Sequence, residues 1–403
     1  MEDEYIISNE ALIKRIERDF FIQPERIPKR IIFYNGALPS EIENLGGIFL
    51  GKIQFKESVF LKGRELLVSS HSGESRINHF RTLIDRYSQI TQRKIELQVQ
   101  DYGNFEKLAN DWVDRIGDIP QRLIIGSSMG ISSFLRDIKL KGEEKNFWEF
   151  VETTISTYTT QEYLSASFGN IDRKEVAENL RKDEYFLRDC RLMWMLTNFG
   201  PRDVVDGFQG KFCLDEYLDY TKQVINGREY LNIHYPYGDQ IRFIARALLK
   251  RTEIQEVYYI GSCGMLREEG RINHLVVPTE VKYRNEKIKF NNLLAEERLF
   301  KKNIDYFVLP VKTFFGSLVS VDSPHEETIR QLQTLRDEGF VAVDTDIFHI
   351  IKAFNGSKLG IVCYVSDKPL SGHTLDKMPE SYIGWRVGVK TLLDNLNLKL
   401  PAL

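Results

Sequence analysis

No stretch of this sequence comes near the roughly 18 to 20 consecutive apolar residues that a membrane span requires. Its first residues, Met1-Glu2-Asp3-Glu4, are acidic and open no apolar leader. A soluble, cytoplasmic protein with no membrane partner is therefore expected. Cysteine is scarce: Cys190, Cys213, Cys263 and Cys363 are all there is, with no CxxC spacing. That excludes a disulfide framework and a zinc cluster, and the seven histidines make no HExxH pattern. No metal and no organic cofactor is implied. Charge of one sign is missing too, since 55 Lys and Arg stand against 58 Asp and Glu, a net −3. That balance leaves no basic footprint for nucleic acid, although a local pocket for one phosphate stays open. Low-complexity segments are also lacking.

What is present is an ordinary core-forming composition, 42% hydrophobic over 403 residues, enough for two domains. The second half alternates helices and strands. Ile241, Ile244, Ala245 and Leu248 stripe one helix face, and Ile347, Ile350, Ile351 and Phe354 stripe another. Apolar runs at Val257–Ile260, Leu275–Pro278, Tyr306–Leu309 and Leu359–Val365 read as strands, and Gly384–Leu396 as a closing helix. Strands separated by helices predict a mainly parallel, twisted α/β sheet covered by helices. The first half is less regular. Strands are expected at Ile31–Tyr34, Glu65–Val68 and Leu123–Ile125, with a helix striped by Phe105, Leu108, Trp112 and Ile116. Arg173–Asp189 is highly charged and reads as a solvated helix leading into the core. This predicts an N-terminal α+β extension over 1–185 and a catalytic domain over 186–403.

Three strand ends carry polar groups suited to chemistry. One is Tyr364-Val365-Ser366-Asp367-Lys368-Pro369-Leu370, where an acid closes an apolar strand. Open α/β sheets place ligands at such carboxyl ends. The others are Gly261-Ser262-Cys263-Gly264, read as a loop after Val257–Ile260, and Val343-Asp344-Thr345-Asp346. Glycines there let a ligand approach the backbone. The plainer readings are helix caps for Ser366, Asp367 and Asp346, and a turn for Asp322 in Ser320-Val321-Asp322-Ser323-Pro324.

Together these segments resemble the nucleoside phosphorylase and nucleosidase superfamily, closest to the AMP nucleosidases. Those carry similar Gly-x-Cys-Gly-x-Leu-Arg, Ala-Val-Asp-x and Val-Ser-Asp-Lys-Pro-Leu segments. The resemblance covers about Arg191 to Leu396. It implies hydrolysis of a purine N-glycosidic bond, with AMP giving adenine and ribose 5-phosphate. Asp367 would then be the general acid that protonates the leaving purine at N7. Asp346 would hold ribose hydroxyls near the cationic sugar, although the family usually has the longer Glu there. Asp344, Thr345, Ser366 and the residues Gly261, Ser262, Cys263 and Gly264 would line the substrate, with Asp322 near the purine. Asn198, in Leu196-Thr197-Asn198-Phe199, is similar to a family segment at the first core strand that positions water. No Arg precedes Gly261, where phosphorylases hold phosphate, which favours water as nucleophile. Arg76 and Arg81, in Ser75-Arg76-Ile77-Asn78-His79-Phe80-Arg81, resemble an Arg-Pro-x-x-Phe-Arg stretch and would grip a 5′-phosphate. The family's shared sites imply a homo-oligomer.

Other readings stay open. A nucleosidase or phosphorylase acting on a nucleoside fits the same segments, as does a catalytically inactive nucleotide-binding protein. Gly126-Ser127-Ser128-Met129-Gly130 after a strand has the form of a nucleophile elbow with Ser128 as nucleophile. Its histidine partners would be His234 or His373, neither in a matching Asp context.

Overall fold

The structure is a computed structural model. It describes the chain outside residues 1–6, 21, 23–26, 54–56, 71–72, 128–130, 133–138, 168–170, 200–211, 226, 237, 239, 297–298, 301–310, 324–326, 374–381 and 396–403. The strand expected at Tyr306–Leu309 and the elbow serine Ser128 lie outside the described residues.

The N-terminal unit builds a small sheet. Its elements are α1 (Asn9–Asp19), β1 (Arg30–Asn35), α2 (Pro39–Glu43), β2 (Ile48–Ile53), β3 (Glu57–Lys62), β4 (Glu65–Ser70), α3 (Glu74–Thr91) and β5 (Glu96–Asp101). The Ser8 hydroxyl starts α1 by accepting the amide of Ala11 at 3.2 Å. Strand order is β2-β3-β4-β1-β5, with β1 parallel to both β4 and β5, and β2, β3 and β4 antiparallel. Alternation decides the faces. Phe33, Leu66 and Val68 pack under α1 and α3 with Ile77, Phe80 and Ile84. Ile32, Tyr34 and Leu67 face the other way, against Ile42 of α2.

The larger unit begins with α4 (Phe105–Ile116) and β6 (Arg122–Gly126), followed by the helical layer α5 (Glu144–Tyr158), α6 (Gln161–Ser167), α7 (Arg173–Lys182) and α8 (Glu184–Asn198). Then come β7 (Phe212–Cys213), β8 (Tyr220–Ile225), β9 (Arg228–His234), α9 (Gln240–Leu249), β10 (Glu256–Met265), β11 (Leu275–Tyr283) and β12 (Glu286–Lys289). The rest is β13 (Thr313–Ser320), α10 (Ile329–Asp337), β14 (Ala342–Asp344), α11 (Ile347–Ala353), β15 (Lys358–Asp367), a 3-10 turn at Pro369–Ser371 and α12 (Tyr382–Asn395). Trp112 of α4 is fully buried and donates its indole N–H to the carbonyl of Leu218 at 2.7 Å. One sheet face carries α4, α9 and α11; the other carries α5 to α8 and α12.

The expected mainly parallel sheet is corrected to a mixed one. β10 runs parallel to β15 and β6, yet antiparallel to β14. β15 in turn pairs antiparallel with β11, β11 runs parallel to β13, and β13 to β14. Those pairings close a ring, β10-β14-β13-β11-β15. Two irregularities let the strands bend, one at Cys263/Gly264 and one at Pro278/Glu280, where proline cannot donate to the ladder. Asn292 bridges the second, donating from Nδ2 to the carbonyls of Pro278 and Ile361, both at 2.8 Å. Sheet membership divides the chain between Asp101 and Arg122, because β6 pairs with β10 and β9. Residue 185 lies inside α8. The charged stretch Arg173–Asp189 spans α7 and the start of α8, with Val176, Leu180 and Phe186 turned into the core.

Candidate functional site

Ring closure gathers the carboxyl ends of β13, β14 and β15 against β10. Asp367 is the last residue of β15 and pairs with Gly264 across the irregularity. Its carboxylate is buried. A Cβ on Gly264 would sit 3.5 Å from both Asp367 oxygens and 3.0 Å from Cγ1 of Val343. The close neighbour of that position is Val343, while the carboxylate lies at ordinary contact distance from it. The Ser366 hydroxyl lies 2.8 Å from Oδ1 of Asp367 and 3.3 Å from the carbonyl of Cys263. Pro369 does sit at the start of a short 3-10 turn, but no side chain caps that turn.

Asp344 and Asp346 divide their labour differently from the sequence reading. Asp344 is buried at the end of β14 and caps α11: it accepts the amides of Asp346 (2.9 Å) and Ile347 (2.7 Å) and the Ser320 hydroxyl (2.5 Å). Burial, with the Asp346 charge behind it, pushes the Asp344 carboxyl up from 3.8 to about 7. Asp346 occupies the N-cap position without using its own side chain as a cap. Its carboxylate is half-buried and reaches across to the loop after β9, accepting the Gly238 amide at 2.8 Å and the Thr345 hydroxyl at 3.1 Å.

Three tyrosines surround this end. Burial pushes the phenols of Tyr235 and Tyr259 well up; Tyr364 acts next on Tyr235, and Asp346 next on Tyr259. The Tyr235 and Tyr259 rings meet edge-on at 6.5 Å. Gly261 has a different role from the one expected. The ring and hydroxyl of Tyr259 fill the space where its Cβ would be, so this glycine admits a tyrosine rather than a ligand. The expected Gly-Ser-Cys-Gly loop is strand: β10 continues through Met265 because β15 and β14 keep pairing with it. Ser262 is exposed on that strand; Cys263 is buried beside Cys363.

Other expected residues lie elsewhere. Asp322 is taken by the Tyr283 hydroxyl (2.7 Å) and the Arg284 guanidinium (2.8 Å). Asn198 is corrected: its segment is the end of α8, not a strand, and it donates to the Trp194 carbonyl at 2.9 Å from an exposed position. The resemblance implies a strand there; instead Leu192 and Met195 are buried at helical spacing. Arg76 is buried in α3, its fork closed on Glu57 by bonds of 2.9 and 3.1 Å. Arg81 is exposed and donates to Asn78 at 2.8 Å. His234 is half-buried at the end of β9, and the carbonyl of His373 accepts the Lys368 amide at 2.7 Å. Among the described residues, no group of three His, Cys, Asp or Glu could hold a metal. No described helix is long and apolar enough to cross a membrane.

Sequence reasoning missed Glu327. It is buried just before Thr328, whose hydroxyl caps α10 at the Gln331 amide, and α10 packs on the 3-10 turn directly after Asp367. Burial, then the Asp367 charge, holds Glu327 well above the usual carboxylate range. The segment Glu326-Glu327 gave no signal, since paired acids in a loop read as solvated. The tyrosines were equally silent, although Tyr258-Tyr259 and Tyr364 stand in the segments that drew attention. A surface cavity of 510 Å³ lined by Asp114, Gly117, Asp118, Ile119, Arg251 and Thr252 opens at the amino ends of β6 and β10, the opposite edge from these acids.

Among solved structures, the chain is similar to the 5′-methylthioadenosine/S-adenosylhomocysteine nucleosidase of Helicobacter pylori, with 12% identity and a TM-score of 0.42 over 69% of this chain and 98% of that one. It is similar also to the Neisseria meningitidis nucleosidase of the same name (12% identity, TM-score 0.38, 46% and 88% covered). Futalosine hydrolase of Helicobacter pylori strain 26695 matches at 11% identity and a TM-score of 0.41, over 68% and 96%. No family model matches the chain, and no curated protein does. Likeness at this distance carries no argument, so function is read from the residues themselves.

Proposed function

We propose that the chain hydrolyses the N-glycosidic bond of a purine nucleotide, with AMP giving adenine and ribose 5-phosphate. The observation that carries this reading is Asp367: a buried carboxylate at a strand end, paired in register with Gly264 and touched by Ser366. In the proposed reaction Asp367 donates a proton to the purine as the C–N bond breaks, and water adds to the anomeric carbon, its released proton passing to solvent, from which the Asp367 carboxylate is reprotonated for the next turnover. Asp346, on the neighbouring strand end, is the group for the ribose hydroxyls and for the positive charge that develops on the sugar. Glu327 supplies a second buried carboxyl beside the acid, so the two do not carry charge independently. The site residues belong to a chain proposed to act as a homo-oligomer.

A second reading is favoured by one specific observation. The Arg76 fork is closed on Glu57 and Arg81 points to the surface, so neither stands ready for a 5′-phosphate. An unphosphorylated purine nucleoside then becomes the substrate. Chromatography of the products from AMP, adenosine and methylthioadenosine, with and without inorganic phosphate, decides between them. Free base and free sugar from at least one substrate is the expected result. No base release from any of them removes the hydrolytic reading, and a sugar 1-phosphate would replace water by phosphate.

A further inference from the structure

The carboxyl edge of the N-terminal sheet holds buried polar atoms that the fold leaves unanswered. Asn35 ends β1 and Ser70 ends β4, and the two are register partners on adjacent parallel strands. Ser70 is fully buried and Asn35 is 8% exposed. Neither Ser70 Oγ nor Asn35 Oδ1 has a hydrogen-bond partner. Buried polar atoms are ordinarily paired, because an unpaired one forfeits its hydration with nothing in return.

Their direction follows from strand alternation. Phe33 and Val68, two residues earlier on the same strands, pack against Ile77 and Phe80 of α3. Asn35 and Ser70 therefore face the α3 side as well. The helix starts there: Gly73, at φ 91°, precedes the 18 residues of α3, and no side chain caps its first amides. Unpaired N–H groups and the positive end of the helix dipole favour an oxyanion. The connections agree. The chain leaves β1 toward α2 on one face and β4 toward α3 on the other, so a crevice opens between the two strand ends.

Of the acids nearby, Glu74 stands in the first turn of α3 itself, exposed and within electrostatic reach of the Arg284 guanidinium. Glu57 is neutralised by the Arg76 fork at 2.9 and 3.1 Å. Asp101, in register with Asn35 on β5, turns its carboxylate to the Gly103 amide at 2.9 Å. The Ser70 hydroxyl donates to an oxyanion as it stands, and turning over the Asn35 amide presents its NH₂ in the same direction.

We propose that this crevice, formed by Asn35, Ser70 and the first turn of α3, binds a phosphoryl oxyanion, either free inorganic phosphate or the phosphate of a nucleotide. The proposal stands on the N-terminal sheet and is independent of the reaction assigned to Asp367. Its test is calorimetric titration of the full chain with inorganic phosphate, AMP and adenosine, on wild type and on Ser70→Ala and Asn35→Leu. Phosphate binding by wild type that weakens roughly 10-fold in Ser70→Ala, the scale of one bond to a charged group, is the expected result. Binding of AMP but not phosphate, with the same loss, assigns the site to a nucleotide; binding of phosphate, with AMP unaffected by Ser70→Ala, assigns it to the free ion. Thermal melts without ligand check folding, and Ser70→Ala should melt no lower than wild type because it removes an unpaired buried hydroxyl. Wild type that binds neither phosphate nor AMP, or variants that bind both as wild type does, overturns the site.

Discussion

The carboxyl edges of the two sheets are built on opposite terms. At the ring, polar groups hold one another: Asp344 takes three donors, Asp346 two, and Asp367 a serine hydroxyl. At the N-terminal sheet, Arg76 and Glu57 close on each other as a buried fork, while Asn35 Oδ1 and Ser70 Oγ are left unpaired. A carboxylate that must act on a bond needs its position fixed before substrate arrives. A crevice that only binds can leave its donors for the ligand. On the two proposals above, the difference separates a region for chemistry from one for recognition, and substitutions in each should fail in different ways.

The largest effect belongs to the ring. Asp367→Asn keeps the size of the side chain and its contact with Ser366 but removes the proton that the proposed reaction needs. Base release should fall by roughly 10²–10⁴-fold, the range for a general acid. The folded content, read by circular dichroism, should be unchanged. Wild-type turnover in this variant would take Asp367 out of the mechanism and dissolve the contrast between the two edges.

The next effect belongs to the N-terminal sheet and is structural. Arg76 and Glu57 are both buried, at 6% and 1% side-chain exposure. Arg76→Ala leaves a buried carboxylate alone, at a cost of about 3–5 kcal/mol. The Arg76 guanidinium also lies 4.5 Å above the Phe80 ring, so packing is lost with the charge. Urea melts should show the loss in a phase belonging to the N-terminal unit, while kcat of the remaining folded enzyme stays near wild type. A variant as stable as wild type would show that the fork contributes nothing.

Much of this organisation was legible in the sequence, and the misses have physical causes. Apolar runs located β1, β4, β6, β10, β11 and β15, because buried strands read as continuous hydrophobic stretches. Ring closure was not legible. It depends on β14, three residues long, and on β15 bending to meet β11, neither of which leaves a periodicity. The strand implied for Leu196–Phe199 failed because a four-residue likeness to a family segment carries no helical or strand periodicity of its own, and the segment ends α8. Asp367 was found from its place after an apolar strand, whereas Glu327 was not, since burial of a loop acid depends on contacts remote in sequence. The cap read as the plain alternative for Asp346 falls two residues earlier, on Asp344.

A third effect is pH-dependent and again sets the ring apart. The Asp344 carboxyl is raised from 3.8 to about 7. The folded chain thus keeps a proton there that the unfolded chain gives up above about pH 4. Folded stability is favoured by this group below the unfolded value, falls as pH rises toward 7, and levels off above it. Each pH unit in that window is worth up to about 1.4 kcal/mol. Glu327, held high by burial and by Asp367, adds to the same trend. Asp344→Asn and Glu327→Gln should each flatten the slope, so their stability relative to wild type improves between pH 4.5 and 7. Parallel wild-type and variant curves in urea melts across that range would mean that neither acid is raised in the folded state above its unfolded value.

The smallest effect is the one that most sharpens the comparison. Arg81 lies on α3 only five residues from Arg76, but it is exposed and donates to Asn78 one turn before it. If it gripped a substrate 5′-phosphate, Arg81→Ala would lower kcat/KM for AMP by roughly 10-fold or more and leave adenosine alone, as one charge-assisted contact demands. The observed geometry predicts otherwise. An exposed arginine spent on its own helix should change stability by no more than about 0.5 kcal/mol, which is about 2-fold in any equilibrium. The ratio of kcat/KM for AMP to that for adenosine should therefore stay within about 2-fold of wild type by the same reasoning. Measuring both substrates in the same preparation cancels errors in active concentration. A collapse of that ratio would place the N-terminal helix in the catalytic site, and the two edges would then have to be read as one.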